Sequence, residues 1–348
     1  MVGPPVYPPK PRPGDAVAVL SPAAGLPGIL PMPFELGLRR LREDFGLRVV
    51  EYPTTRKMDS SPRERAADLH AAFVDPEIRA VVASIGGDDQ ITVLPFLDRE
   101  LLRSHPKPFF GYSDNTNFLM FLANAGVVGY HGGSVMVEFG RPGAMHPQSE
   151  ASLRAALFTS DQFDLTPAVR TGTVNGQWEN PATFEAEPKS EAADPWTWHN
   201  ADRVVEGRTW GGCLEIVAHL ALADREIGPA EQYRGQVLFL ETSEEMPRAG
   251  DVRYILRSFG ERGLLQQFGA VLVGRAKAWS FEQPHDAAGR AEYRRAQREA
   301  VLNVLTDYVP DAVVVFDVDL GHTDPQLVIP YGGTVRVDGP ARRITVQY

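Results

Sequence analysis

Short apolar, β-branched runs alternate along the first half of the chain with stretches whose apolar residues recur every three or four positions. Ala16–Leu20 (AVAVL) has the unbroken apolar character of a strand covered on both faces. Phe34, Leu38, Leu41 and Phe45 follow at helical spacing. Arg48–Tyr52 predicts the next strand. Ala66, Leu69 and Phe73 mark the next helix, which Pro62 opens. Ala80–Ile85 (AVVASI) predicts a third strand, running into Gly86-Gly87-Asp88-Asp89. Pro108–Tyr112 predicts a fourth, followed by a helix from Asn115 to Asn124. This alternation predicts an α/β domain around a doubly wound, mostly parallel sheet. Such sheets carry their sites at the carboxyl ends of strands, where the GGDD and GYSDN loops lie.

From Asp161 to Arg208 periodicity gives way to Pro, Asn, Asp and Trp. The stretch reads equally as a ligand-facing loop or an inter-domain linker. Regular pattern returns with Gly211–Leu222, read as a helix, and Gln236–Leu240 (QVLFL), read as a strand. Val252, Ile255, Leu256 and Phe259 share one helix face. Ala270–Val273 predicts a strand, Glu292–Tyr308 a helix and Ala312–Phe316 a strand. The end reads as a hairpin turning near Asp338-Gly339. The expected organisation is an N-terminal α/β domain over 1–165, a connecting and substrate loop over 166–208, and a C-terminal mixed α/β domain over 209–348.

Composition narrows the function classes. Among 348 residues, 35 Lys and Arg face 45 acids, a net charge of −10. A nucleic-acid partner wants a basic face, so none is expected. One cysteine, Cys213, excludes an internal disulfide and fits a reducing compartment. The Pro-rich start lacks the apolar core of a signal peptide, and no apolar run is long enough to span a membrane. A cytoplasmic protein without a membrane partner is expected.

The candidate chemistry sits on the two strand-end loops. In Phe110-Gly111-Tyr112-Ser113-Asp114-Asn115 a strand enters, a helix leaves and a serine occupies the turn. That is the layout of a nucleophile elbow, with Asn115 where a left-handed Gly is usual; it is also a plain helix cap. Gly86-Gly87 lets backbone N–H groups approach a ligand, or simply turns the chain. A serine nucleophile needs a base. His322, in the polar loop Asp319–Asp324, is the candidate, with His131 of Tyr130-His131-Gly132-Gly133 as its rival. His70 and His219 sit in helical patterns and read as structural. Glu241 ends the strand QVLFL, where a carboxylate can orient a histidine or simply be solvated. Asp88 and Asp89 have no accompanying metal-ligand set.

Six blocks occur in order: Lys10–Pro22, Ser84–Asp98, Gly111–Leu119, Trp210–Leu214, Leu238–Thr242 and Leu320–His322. Together they resemble the family of LD-carboxypeptidases and microcin C immunity peptidases, over nearly the whole chain. The resemblance implies a serine peptidase without cofactor or metal, with catalytic Ser113, Glu241 and His322 meeting between the domains. It implies an oxyanion hole from the N–H groups of Gly87 and Asp114, a swivelling, barrel-like C-terminal domain, and a homodimer. The chain departs from the family pattern at Cys213, where Asn is usual.

GGDDQ and GYSDNT resemble the microcin-immunity branch rather than the GGYG and GFSD forms of true LD-carboxypeptidases. That branch cleaves the amide of aminoacyl-nucleotide-like toxins and stacks the base on an aromatic loop. The expected substrate-binding residues are therefore Gly86, Asp88 and Asp89 with Trp196 and Trp198; Trp178 belongs to the same aromatic stretch. Ordinary inter-domain packing is the alternative for the tryptophans. The runner-up function is a muramoyl-tetrapeptide carboxypeptidase of peptidoglycan recycling, which requires a cation aimed into the cleft. A non-catalytic small-ligand-binding protein is the third.

Overall fold

The computed structural model describes residues 4–172 and 176–348. Two sheets organise it. In the first, β1 (Ala16–Leu20), β2 (Arg48–Glu51), β3 (Ile78–Ala83), β4 (Phe109–Gly111) and β5 (Gly129–His131) run parallel in the order β5-β4-β3-β1-β2. The connections carry α1 (Pro31–Glu43), α2 (Pro62–Val74), α3 (Arg99–Ser104) and α4 (Thr116–Asn124). All five residues of β1 are buried, as a central parallel strand covered on both faces requires. α2 starts on a full capping box, Ser61 with Glu64, ahead of Pro62.

After α5 (Pro147–Phe158) the chain passes to the second sheet. Its strands are β6 (Gln162–Leu165), β9 (Thr197–His199), β10 (Val204–Cys213), β11 (Val237–Glu241), β12 (Ala270–Gly274), β13 (Val313–Val318), β15 (Thr334–Asp338) and β16 (Arg343–Gln347), in the order β6-β16-β15-β10-β11-β12-β13-β9. The stretch β10 to β13 is parallel and the flanks are antiparallel. α6 (Leu214–Leu222), α7 (Ala249–Glu261) and α8 (Ala287–Tyr308) accompany it, and β7 (Arg170–Thr171) and β8 (Glu191–Ala192) form a small ribbon. The remaining strand, β14 (Ile329–Tyr331), returns to the first sheet, antiparallel to β5. The two halves thus exchange strands, β6 in one direction and β14 in the other. One buried apolar cluster runs from Val17, Val81 and Phe109 to Phe239, Val271 and Val314. Among the described residues, no helix is long and apolar enough to cross a membrane.

Three expectations change. Gly211–Cys213 end β10 rather than open a helix, because Gly211 and Gly212 take φ of +133° and +110°, outside helical backbone; α6 starts at Leu214. The stretch from Asp161 to Arg208 contains β6 to β9 and the start of β10, strands too short or too polar to show periodicity; its residues 173–175 lie outside the described part. Asn115 is helical, at φ −64°, and the left-handed residue of the elbow is Ser113 itself.

Candidate active site

The carboxyl ends of both parallel strand sets converge. At the end of β4, Tyr112 is extended and Ser113 takes φ +60°, a left-handed conformation uncommon for a residue with a Cβ. Ser113–Asn115 form one 3-10 turn leading into α4. Asn115 locks it: its amide donates to Tyr112 O and Ile85 O, each at 3.1 Å, and its oxygen accepts from Gln90 Nε2 at 2.8 Å. Asp114 accepts from Gln90 N at 2.9 Å and from Asn117 Nδ2 at 2.8 Å. Burial pushes the Asp114 carboxyl up to about 6, against the pull of the Gln90 N–H. The loop after β3 packs on this turn. A Cβ on Gly86 would lie 2.9 Å from Ser113 Cβ and 3.1 Å from its Oγ, so that only glycine fits beside the serine.

The second sheet supplies an acid–histidine pair. Glu241, last residue of β11, is fully buried and accepts from His322 Nδ1 on Oε2 at 2.6 Å. Glycines make room for it: a Cβ on Gly274 would lie 2.8 Å from Glu241 Cβ, and one on Gly321 2.5 Å from Oε2. Its other oxygen faces Nε2 of the buried His131 at 3.7 Å. Burial raises the Glu241 carboxyl, but the two histidines outweigh it and hold the group down at about 2. Burial likewise lowers His322, and the charges of Glu241 and Glu244 reverse this, lifting it to about 9. The His322 ring packs edge-on against Tyr112, centroids 5.0 Å apart, which brings it beside the residue preceding Ser113. His322 Nε2 lies 3.1 Å from Oε2 of Glu244.

A cleft of about 100 Å³ opens next to this ring, lined by Tyr112, Glu138, Trp178, Lys277, His322 and Asp324 among others. Burial pushes the Glu138 carboxyl up to about 7, against the Ser134 N–H at its Oε2. Lys277 is driven down to about 8 by burial, only partly offset by Glu244 and Asp324. Arg141 reaches the cleft already paired with Asp324 at 2.8 Å and Glu187 at 2.6 Å. The cleft therefore joins the aromatic rings of Tyr112 and Trp178 to the Lys277 amine and the buried Glu138 carboxyl.

Residues 17–132 match the LD-carboxypeptidase N-terminal domain and residues 206–337 match the LD-carboxypeptidase C-terminal domain. The chain belongs to the LD-carboxypeptidase family. It is 26% identical over 347 residues to the microcin C7 self-immunity protein MccF of Escherichia coli, covering 96% of this chain and 93% of that one. It is also 26% identical over 342 residues to a probable murein peptide carboxypeptidase of Bacillus subtilis, covering 96% and 92%. MccF solved in complex with aspartyl sulfamoyl adenosine shares the fold, with a TM-score of 0.85 at 21% identity over 99% of both chains.

Within this LD-carboxypeptidase fold, the expected residues fall into two groups. Ser113, Gly86, Asp114, Glu241 and His322 gather around the elbow; His131 faces the far oxygen of Glu241 at 3.7 Å, and its ring centroid lies 6.1 Å from that of Tyr112, against 5.0 Å for His322. Gly87 and Asp88 are both exposed on the loop, and a Cβ on Gly87 would lie 3.0 Å from Ala23 Cβ and from Ala24 N. Asp89 is committed elsewhere, its two oxygens taking Arg65 Nη1 and Nη2 at 2.6 and 2.8 Å. The expected cleft wall of Trp196 and Trp198 is corrected. Trp196 is buried, donating Nε1–H to Asp319 at 2.9 Å, and Trp198 sits in the edge strand β9, paired with Val315 and capped by the Arg342 guanidinium. Of the three tryptophans of this stretch, Trp178 is the one that lines the cleft. Cys213 is buried at the end of β10, its N–H on Thr116 Oγ1 at 3.2 Å. Glu138 and Lys277 escaped sequence reasoning. Glu138 hides in the apolar run VMVEF, whereas Lys277 follows the carboxyl end of β12 and was open to the strand-end rule.

Proposed function

We propose that the protein is a serine amidase of the microcin-immunity type, with Ser113 as nucleophile, His322 as base and Glu241 as the carboxylate that orients it. The reading rests on one observation: a buried Glu241–His322 pair from the second sheet packs on Tyr112, next to a serine held at φ +60°. In the proposed reaction Ser113 Oγ attacks the amide carbonyl while His322 Nε2 takes its proton. Glu241 keeps Nδ1 protonated and stabilises the imidazolium. The N–H groups of Gly87 and Asp114 receive the oxyanion. Collapse expels the amine, which takes the proton from Nε2, and water then hydrolyses the acyl-serine by the same route. Glu244 has to leave Nε2 for the first step; its side chain is 61% exposed and has room to swing.

For substrate, we infer an aminoacyl-nucleotide-like molecule whose base stacks on Trp178. Support comes from the Trp178 ring in the cleft and from the likeness to MccF, which has been solved with aspartyl sulfamoyl adenosine. A murein-peptide carboxypeptidase is the second reading, favoured by the buried Lys277 ammonium on the cleft wall, a match for a terminal carboxylate. Incubation with an aminoacyl-sulfamoyl-adenosine and with an L,D-tetrapeptide decides between them: release of the sulfamoyl nucleoside is expected. Release of the terminal D-amino acid alone would move the assignment to the second reading, and cleavage of neither would leave a binding protein.

A further inference from the structure

The loop that carries Gly86 and Gly87 is fixed from two sides. On the side of the serine, Gln90 ties it to the elbow through Asp114, Asn115 and Phe118 N. On the other side stands Arg65, in the first turn of α2, its side chain only 4% exposed. Its guanidinium grips Asp89 with both terminal nitrogens, at 2.6 and 2.8 Å. The same Nη1 donates to Ala23 O at 2.9 Å, in the loop that follows β1. That second loop touches the glycines directly. Ala24 N donates to Gly86 O at 3.1 Å, and a Cβ on Gly87 would lie 3.0 Å from Ala23 Cβ and from Ala24 N. A single buried fork therefore joins two strand-end loops and holds the glycine backbone against Ser113.

A buried guanidinium with a half-exposed carboxylate is a costly arrangement unless its geometry is good, because the cation has left water. A bidentate pair meets that condition and transmits direction as well as charge. Ammonium in place of guanidinium keeps the charge but loses the fork. Position matters here because an oxyanion donor is effective only at hydrogen-bond distance from the oxygen of the transition state.

We propose that Arg65, acting through Asp89, is a positioning residue that sets the Gly87 N–H for the transition state. The inference rests on the reading of Ser113 as nucleophile. A donor that meets charge only as it develops changes kcat and leaves KM nearly unmoved. Asp89→Asn keeps the shape but leaves the Arg65 guanidinium without its counter-charge, so kcat is compared per folded molecule for both variants.

The test is steady-state kinetics of wild type, Asp89→Asn, Arg65→Lys and their double variant on the amide that the wild type cleaves, with Ser113→Ala alongside and folded fraction measured by thermal melting. The expected result is a fall of about tenfold or more in kcat for each single variant, with KM within about threefold. The double variant should lose little more than the worse single one, because both break the same clamp. Wild-type kcat per folded molecule in Asp89→Asn would overturn the inference, as would a loss carried entirely by KM. If Ser113→Ala itself retains activity, the nucleophile reading fails instead, whatever the other variants do.

Discussion

Oε2 of Glu244 lies 3.1 Å from Nε2 of His322, while Glu241 holds Nδ1 of the same ring at 2.6 Å. The imidazole is thus flanked by a carboxylate on each nitrogen, and the nitrogen that would take the serine proton in the proposed reaction is engaged by a surface side chain. Burial lowers the affinity of His322 for its proton, but Glu241, Glu244 and the more distant Glu215 outweigh it, and the group titrates at about 9. A base must be neutral to act, so activity should rise with pH toward that value. Glu244→Gln removes one of the carboxylates and should move the acid limb of the kcat/KM profile downward. Each unit of displacement gives about tenfold more neutral base at pH values well below the limb. An unchanged limb would mean that Glu244 does not face the ring in solution.

The same pair makes stability depend on pH. His322 is raised above its ordinary 6.5, so its contribution is complete below that value and is lost as pH rises through about 9. Glu241 is depressed below 4.5, so its contribution is present above 4.5 and is lost as pH falls toward about 2. Both are in place between 4.5 and 6.5. Urea unfolding of wild type and Glu241→Gln should differ most in that window, and the difference should narrow by about pH 10. A gap that widens with alkalinity would contradict the sign.

Trp178 and Trp196 should separate under mutation. Trp178→Ala removes a cleft ring, worth roughly 1–3 kcal/mol if a base stacks on it, so KM for a nucleoside-bearing substrate should rise about fivefold or more. A small acyl ester should be hardly affected. Trp196→Phe removes a donor from Asp319, a fully buried carboxylate that also holds Arg275 at 3.1 Å and Ala168 N at 2.8 Å. It should cost about 1–3 kcal/mol of stability and leave the KM ratio of the two substrates alone. Equal losses on both substrates in Trp178→Ala would make that ring a packing residue.

Sequence alone reached the elements that carry continuous apolar runs, such as β1, β11 and β13, because two-sided burial leaves an unmistakable mark. Strand ends made Ser113, Glu241 and His322 candidates beside rivals such as His131, and only the resemblance of the six ordered blocks joined the three. Sequence did not reach the strand exchange, since β6 and β14 are short and pairing partners far apart in sequence leave no local trace. The tryptophans were misplaced for a similar reason. Clustered aromatics show that rings must go somewhere, but only the pairing of β9 with β13 turns Trp198 to the sheet edge and Trp196 onto Asp319. Glu244 and Arg65 carry no local mark in the sequence, because their partners His322 and Asp89 come from other loops.

In the proposed mechanism Ser113 is a nucleophile served by His322. The most direct measurement is reaction with a serine-reactive fluorophosphonate, followed by peptide mapping by mass spectrometry. One phosphonyl adduct per chain is expected, on Ser113, forming far more slowly in His322→Ala. No adduct on Ser113, or labelling at an undiminished rate in His322→Ala, would contradict it.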